Sequence, residues 1–454
     1  MKTPHPDAVP APEGDVDVAI LGAGAAGMLV ALAAAARGLS VLLCDPTSDQ
    51  ANNFAISGGL FPAAGSRLQC AGGVTDDGPQ RWLQDVRDFA PGAVNEHIAE
   101  SVAHALPEVT AFLLDGCAAP LRWLPDMPAP GHSALRFHSV TPASGAAFHA
   151  WFRGALRDHA GITWWPEAVS VERRADGFVL GAAAGNERRA RQLVLAGGGF
   201  GANAELVARF IPGMAGALHN GSPTNNGSTL ALGLAWGAQL WGMDGYQGQG
   251  HTHLGGATRL GMSIPTLGGV MLNRDGQRFV REDVGPSALA PWVLAQPGGV
   301  ALEVFDAAIE AQLGNHSAYQ QAVAAGRVMA ADSVAALAAQ AGVDAEALQA
   351  TLDTVAQCAQ GAASDALGRR GFARALRPPY KASWVTGALS HTQGGLLTDA
   401  HGAVLGTDQR PLPGVFAAGG CAAGLSGLGA DGYLPGNGLA QAFGLGWRVA
   451  QALG

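Results

Sequence analysis

The sequence predicts an α/β protein built around a Rossmann-like dinucleotide-binding domain, and three observations lead there. A glycine fingerprint stands between two short apolar strands near the N-terminus. Two later apolar runs, one mid-chain and one near the C-terminus, each end in small residues. Between those runs lies a stretch with a predominantly helical pattern.

The first unit is "VDVAILGAGAAGMLVALAAAARGLSVLLCD", which reads as strand, tight turn, helix, strand. Val16 to Leu21 is a continuous apolar run, as in a parallel strand buried on both faces. Gly22 suits the tight turn, Gly24 lets backbone approach a pyrophosphate, and Gly27 lets the helix pack on the strand. Ala25 and Ala26 begin the helix, whose free N–H groups and positive dipole end favour phosphate. The second strand, Ser40 to Cys44, ends at Asp45, where a carboxylate meets ribose hydroxyls, and Pro46 follows. A glycine triplet alone occurs by chance; strand, helix and terminal acid together make it a fingerprint. It leaves NAD and FAD both open.

With 454 residues the chain has room for two or three domains. Hydrophobic residues make up 48% and charged ones 14%, so a large core is available and disorder is not expected. The net charge of −9 and a pI near 5.8 argue against nucleic acid or an anionic membrane as partner. The stretch "MLVALAAAA" before Arg37 is too short to span a bilayer. The Pro-rich, acidic N-terminus has no secretory pattern, so a cytoplasmic location is expected. The five cysteines are scattered, with no CxxC or ferredoxin spacing, which leaves redox chemistry to an organic cofactor.

"QLVLAGGGFGAN" (Gln192 to Asn203) and "GVFAAGGCAAG" (Gly414 to Gly424) are each a strand running into small residues. Either the glycines serve tight packing, or both segments touch one long ligand beyond the strands' carboxyl ends.

These segments belong to a longer series in chain order: "DVAILGAGAAG", "NNFAISGGLFPAAG", "LVLAGGGFGAN", "GGVMLNRDGQRFVRE", "SHTQGGLLTD", "PLPGVFAAGG" and "GYLPGNGL". The series resembles the flavoprotein superfamily of fumarate reductase and succinate dehydrogenase flavoprotein subunits, which includes the 3-ketosteroid dehydrogenases. The resemblance implies FAD and a discontinuous, GR2-type FAD-binding domain over 15–240 and 378–454. A mobile α+β cap or substrate domain, 241–377, interrupts it. In the cap "AADSVAALAAQAGVDAEALQATLDTVAQCAQ" repeats at helical spacing with Asp344 as an N-cap, and "GRRGFARALRPPY" forms the hinge back.

By the same resemblance the cofactor is contacted by the fingerprint residues with Asp45 and Pro46, then by Asn53, Ser57, Gly58, Gly59 and Val169. Ala196, Gly197, Gly198 and Asn203 follow, then Gly419 and Gly420, and last Gly436, Asn437, Gly438 and Leu439. Covalently flavinylated members carry histidine where this chain has Asn52, which implies noncovalent FAD. Many members carry glutamate where this chain has Gly420, so a hydroxyl contact is lost.

The superfamily implies reversible two-electron chemistry at a carbon–carbon bond beside an electron-withdrawing group. That needs a donor to polarise the activating group and an acid or base for the second hydrogen. Fumarate-reducing members resemble one another in using two arginines. Laid on this chain, one falls at about Pro286 and the other at Tyr433. A buried carboxylate lacking its partner costs about 3–5 kcal/mol. That disfavours di- and tricarboxylates unless Arg259, Arg278 or Arg281 serves instead.

A phenol can donate to a neutral carbonyl or enolate oxygen. Tyr433, Gly436 and Leu439 match the "YxxGxxL" stretch of the steroid-desaturating relatives, so Tyr433 is either the polarising donor or a wall beside the flavin. His391 in "SHTQGG" matches a substrate-contacting histidine; the alternative is a structural turn. His253, with His251 in "YQGQGHTHLGG", lies near another such position, and Tyr246 is a further acid or base. The HxH pair has no third ligand nearby in sequence, so no metal is expected. Asp431 orients Tyr433 or is a solvated loop acid, and Glu282 is a structural hydrogen-bonding residue.

The function expected is that of an FAD-dependent oxidoreductase acting on CH–CH groups. Its substrate is a small uncharged molecule, 3-ketosteroid-like or another enone, with an external electron donor or acceptor. The alternatives are a fumarate-reductase-like enzyme on an unsaturated carboxylate and a non-catalytic flavin-binding redox sensor or subunit.

Overall fold

The structure, a computed structural model, describes residues 15–47, 52–167, 169–182, 185–255, 260, 264–313, 317–369 and 371–454. The chain divides into two compact units. One contains the chain up to Leu206, Gly221–Tyr246 and His391–Gly454; the other contains Val207–Asn220 and Gln247–Ser390.

At the centre of the first unit Val16–Leu21 runs parallel to Val41–Cys44 on one side and to Glu187–Leu195 on the other. Ile162–Trp165 extends the sheet beyond Val41–Cys44, and Pro411–Ala417 extends it beyond Glu187–Leu195. The antiparallel pair Val169–Arg174 and Gly177–Ala182 joins Glu187–Leu195 along the same edge. Register decides what this sheet can do. Leu21 pairs with Cys44 and Leu195, Cys44 with Trp165, and Leu195 with Ala417, so five parallel strands end together. The loops that follow them therefore share one edge, where ligands of such sheets bind.

The helix Ala25–Ala36 is buried from Ala25 to Ala35, as its apolar circumference requires. Its neighbour Asn437–Ala452 comes close through glycine: a Cβ at Gly446 would lie 3.4 Å from the Ala26 carbonyl oxygen. Gly444 does the same against Glu96–Ala111, where a Cβ would lie 2.6 Å from Val102 Cγ1. Phe54, Phe61, Phe148, Phe152 and Phe443 form an aromatic cluster beside these helices, all at centroid spacings suited to ring packing.

The second unit is built on the long strand Tyr380–Thr392, with Val300–Asp306 antiparallel to it and Val270–Leu272 beyond. Alternation along Val300–Asp306 separates two cores. Ala301 and Phe305 join Leu260, Ile264, Leu289 and Ile309 on one side. Leu302 and Val304 join Leu337, Leu348, Leu352 and Val355 on the other. The last four lie on helices Val334–Ala341 and Ala345–Ala359. Asp344 caps the second of these, accepting from Ala347 N at 2.7 Å, as the sequence pattern requires.

The division of the chain differs from the expected 241–377 insertion. Tyr380 to Ser390 stays with the second unit because this strand pairs with Val300–Asp306, and the chain returns only at His391. Val207–Asn220 also joins it, through the pairing of Leu218 and His219 with Ala388 and Leu389. Nothing in the residues after the two prolines distinguishes a strand of one domain from a strand of the other. No helix among the described residues is long and apolar enough to cross a membrane.

Candidate active site

The glycine turn at the sheet edge has the geometry its sequence demands. Gly22 has φ +108°, and a Cβ there would lie 2.5 Å from the Ala196 carbonyl oxygen. A Cβ at Gly27 would lie 1.9 Å from Gly22 O, whereas a Cβ at Gly24 would meet nothing within 4 Å. Gly22 and Gly27 are thus needed for packing, and Gly24 faces open space at the start of Ala25–Ala36, whose first turn has no side-chain cap. Asp45 stands beside it: Oδ2 accepts from Ala23 N at 2.7 Å, and Oδ1 accepts from the Thr47 amide and hydroxyl, each at 2.8 Å. Pro46 is exposed.

Several residues expected at the cofactor have structural work of their own. Asn53 Oδ1 accepts from Ser222 N at 2.6 Å. Ser57 Oγ donates to Phe54 O and accepts from Gly59 N. Gly59, at φ +66°, is pressed against Ser144, while Gly58 is exposed. Val169 begins the antiparallel strand pair, opposite Ala182. Ala196 N bonds back to Leu21 O at 2.9 Å. Thr229 sits where a Cβ at Gly197 would go, Asn225 Oδ1 where one at Gly198 would, and Thr392 Oγ1 where one at Gly199 would. Asn203 caps Ala204–Phe210 through Leu206 N. A Cβ at Gly419 would lie 3.0 Å from Ala26 Cβ, and one at Gly420 2.9 Å from Gly199 N. Both readings of these glycine runs therefore meet: packing needs the small residues, and the packing brings the runs to the sheet edge.

In the sequence Asn52 stands out only for the histidine it replaces, yet it ties the turn together. Its Nδ2 donates to Ala23 O at 3.0 Å and lies 3.2 Å from His149 Nε2, and its Oδ1 accepts from Ala55 N. Burial is the main cause that brings the His149 ring down to about 4, so it is neutral there. No spacing rule links positions 52 and 149, and only the fold brings them together.

The C-terminal segment brings two of the expected site residues together. Gly436, at φ +87°, begins the helix Asn437–Ala452, which also lacks a side-chain cap. His391 and Tyr433 meet edge to face, with ring centroids 5.1 Å apart. Both reach over the first turn of that helix: a Cβ at Gly438 would lie 3.2 Å from His391 Nε2 and 3.9 Å from Tyr433 Oη. The glycine makes room for both groups, and Leu439 follows half-buried. Tyr246 lies against the same loop, its amide donating to Gly429 O at 3.1 Å. Burial, and then the Asp431 carboxylate, push its phenol up to about 12. Asp431 itself is exposed.

The other two histidines belong to the second unit. His251 is buried against Glu303, Nδ1 to Oε1 at 2.8 Å, which gives it an internal partner. His253 is buried at the end of Tyr246–His253, with Nδ1 3.4 Å from Leu254 O. Among the described residues no group of three or more His, Cys, Asp or Glu is placed to hold a metal. Glu282 is buried between Arg278 and Arg369. Arg278 also pairs with Asp365, and Arg281 pairs with Asp283. Arg259 lies outside the described residues.

The model of the FAD binding domain family matches residues 17–439. A fumarate reductase (cytochrome) from Shewanella frigidimarina is 25% identical over 427 residues, covering 92% of this chain and 74% of that protein. Among solved structures, the open conformation of a flavocytochrome c3 fumarate reductase superposes with a TM-score of 0.84 at 24% identity, over 97% of this chain and 78% of the other. The 3-ketosteroid Δ1-dehydrogenase from Sterolibacterium denitrificans superposes with a TM-score of 0.78 at 21% identity, over 97% and 99%.

The residues present fit FAD. Open space at Gly24, beside a helix start with no side-chain cap, suits a pyrophosphate. Asn437, 1% exposed, has both side-chain polar atoms without a hydrogen-bond partner among the described residues. Such buried groups are costly unless something satisfies them, as the heteroatoms of a bound flavin would. Gly27→Ala drives a methyl group into the Gly22 carbonyl oxygen, and about 1–3 kcal/mol of overpacking is expected there. The variant should purify with much less FAD, read from the ratio of flavin to protein absorbance; full FAD content would contradict this account of the turn. The chain belongs to the FAD binding domain family, and it is an FAD-dependent oxidoreductase.

Proposed function

We propose that the enzyme dehydrogenates or reduces a carbon–carbon bond beside an uncharged carbonyl, with a 3-ketosteroid-like or other cyclic enone as substrate. One observation carries this reading. Tyr433 Oη and His391 Nε2 stand together over Gly438, at an uncapped helix start, where fumarate-reducing members of the resembled superfamily place an arginine.

FAD, when bound, supplies a centre that accepts or returns a hydride. Tyr433 donates to the carbonyl oxygen and stabilises the charge that grows on it during transfer. The helix start beneath favours the same negative charge. His391 Nδ1 lies 3.3 Å from Thr392 O. Donation there leaves Nε2 of a neutral ring as the acceptor, able to hold the second hydrogen as a proton. Tyr246, with its phenol raised by burial, keeps its proton at neutral pH and serves as a donor, not a base. Asn52 offers an amide with no nucleophile for a flavin link, which supports noncovalent FAD.

A substrate carboxylate would need a cation. Arg278 is held by Glu282 and Asp365, and Arg281 Nε by Asp283 at 2.7 Å. The likeness to fumarate reductase favours a second reading, in which the substrate is an unsaturated acid served by Arg259. The FAD-loaded enzyme, given a 3-ketosteroid and an artificial electron acceptor dye, is expected to bleach the dye. Silence across a panel of 3-ketosteroids and cyclic enones would sink the proposal. Turnover of fumarate that Arg259→Ala abolishes would establish the second reading.

A further inference from the structure

Beneath the loop that carries Tyr433 lies a buried charge cluster that the mechanism above does not use. Arg136 is fully buried. Its Nε and Nη2 donate to both oxygens of Asp77, at 2.9 and 2.8 Å, and its Nη1 pairs with Asp85. Gln69 donates to Asp77 and Ser133 to Asp85, so both carboxylates are held on several sides. The same Nη1 lies 3.2 Å from His132 Nδ1. A guanidinium has only donors, so His132 Nδ1 accepts and the ring proton sits on Nε2. Nε2 is 2.8 Å from Pro435 O and donates to it. Burial holds this ring below its ordinary range, in keeping with a neutral ring.

The neighbours of His132 grip the same loop. A Cβ at Gly131 would lie 2.6 Å from Leu434 Cδ1, and one at Gly436 would lie 2.7 Å from Phe137 Cε1. The His132 and Phe137 rings pack with centroids 5.0 Å apart. The stretch from 131 to 137 therefore touches Leu434, Pro435 and Gly436, the three residues that connect Tyr433 to the helix start at Asn437.

We propose that His132 is a positioning residue, which through its bond to the Pro435 carbonyl, with its tautomer set by Arg136, fixes the Tyr433 hydroxyl beside His391. The proposal rests on the reading of Tyr433 as the polarising donor. Without this bond the carbonyl loses its partner and the turn can shift, and misplacement of a catalytic group by about 1 Å can cost a hundredfold in rate.

A double-mutant cycle on the FAD-loaded enzyme tests it, run on whichever compound of the substrate panel turns over. His132→Ala should lower kcat about tenfold or more, with KM and FAD content little changed. His132→Gln keeps a donor for Pro435 O and an acceptor for Arg136 and should restore most of the rate. In a Tyr433→Phe background His132→Ala should cost nothing further, because the two act as a unit. Wild-type kcat in His132→Ala, equal damage by Gln and Ala, or additive losses in the double variant would each overturn the proposal. A Tyr433→Phe enzyme as active as wild type would instead remove the reading of Tyr433 on which the proposal stands, and the proposal with it. If His132→Ala does not yield folded protein, His132→Phe, which keeps a ring but can make neither bond, takes its place in the cycle with the same expected loss of kcat and the same overturning results.

Discussion

Tyr433→Phe is expected to lower kcat/KM about a hundredfold or more while leaving the flavin bound. The ring that meets His391 edge to face is kept in this variant, and only the hydroxyl near Gly438 is lost. If that hydroxyl stabilises charge developing on the carbonyl oxygen, its removal costs about 3 kcal/mol in the transition state. The loss should fall mainly on kcat, since an interaction made only in the transition state leaves ground-state binding intact. Steady-state kinetics on FAD-matched preparations checks this. A large rise in KM with kcat unchanged would mean that the phenol only lines the wall of the pocket.

Glu282→Ala should be the most destabilising substitution in the second unit, by about 3–5 kcal/mol. The Glu282 carboxylate accepts from Arg278 Nε and Nη2, from Arg369 Nη1 and from Met271 N, all between 2.7 and 3.1 Å. Arg278, Arg369, Glu282 and Asp365 are all buried at their side chains, and two positive charges face two negative ones. Removing Glu282 leaves one buried positive charge without its counterpart and leaves the Met271 amide unmet. Glu282→Gln keeps the amide's acceptor but not the charge, and should fall between alanine and wild type. Equilibrium unfolding in urea, followed by tryptophan fluorescence, measures the difference. A change below about 1 kcal/mol for alanine would place this cluster among the ion pairs whose attraction barely offsets their desolvation.

This network also bears on specificity. The sequence leaves Arg278, with Arg259 and Arg281, open as a cation that replaces the missing arginines. The structure places it on Glu282 and Asp365, where it is neutralised. A cation in the sequence is not thereby a cation available to a ligand.

How far the sequence could be read depended on the range of the interaction. The first strand, glycine turn, helix and Asp45 were all legible because their chemistry is local: a positive φ, a close approach and a helix start each have a residue signature. The N-cap at Asp344 was legible for the same reason. His391 and Tyr433, 42 positions apart, were found by resemblance, and the fold brings them into ring contact. The boundary at Ser390 was not legible, since strand pairing with Val300–Asp306 decides it and pairing leaves no mark in a single strand. Nor was the cluster of Asp77, Asp85, His132 and Arg136, in which four polar residues of unremarkable spacing become one buried unit. The pairing of His251 with Glu303 was not legible either, since 52 positions separate the two residues.

The central claim, that this flavoenzyme handles a neutral carbonyl compound through hydroxyl and imidazole groups, meets its most direct test in the oxidative half-reaction. The bound flavin is reduced with dithionite under anaerobic conditions and mixed with equal concentrations of a 3-keto-4-ene steroid, a 1,4-dienone steroid or fumarate, and recovery of the oxidised flavin spectrum is timed. Prompt recovery is expected with at least one of the steroids, and none beyond the buffer control with fumarate. Recovery with fumarate and none with any steroid would contradict it.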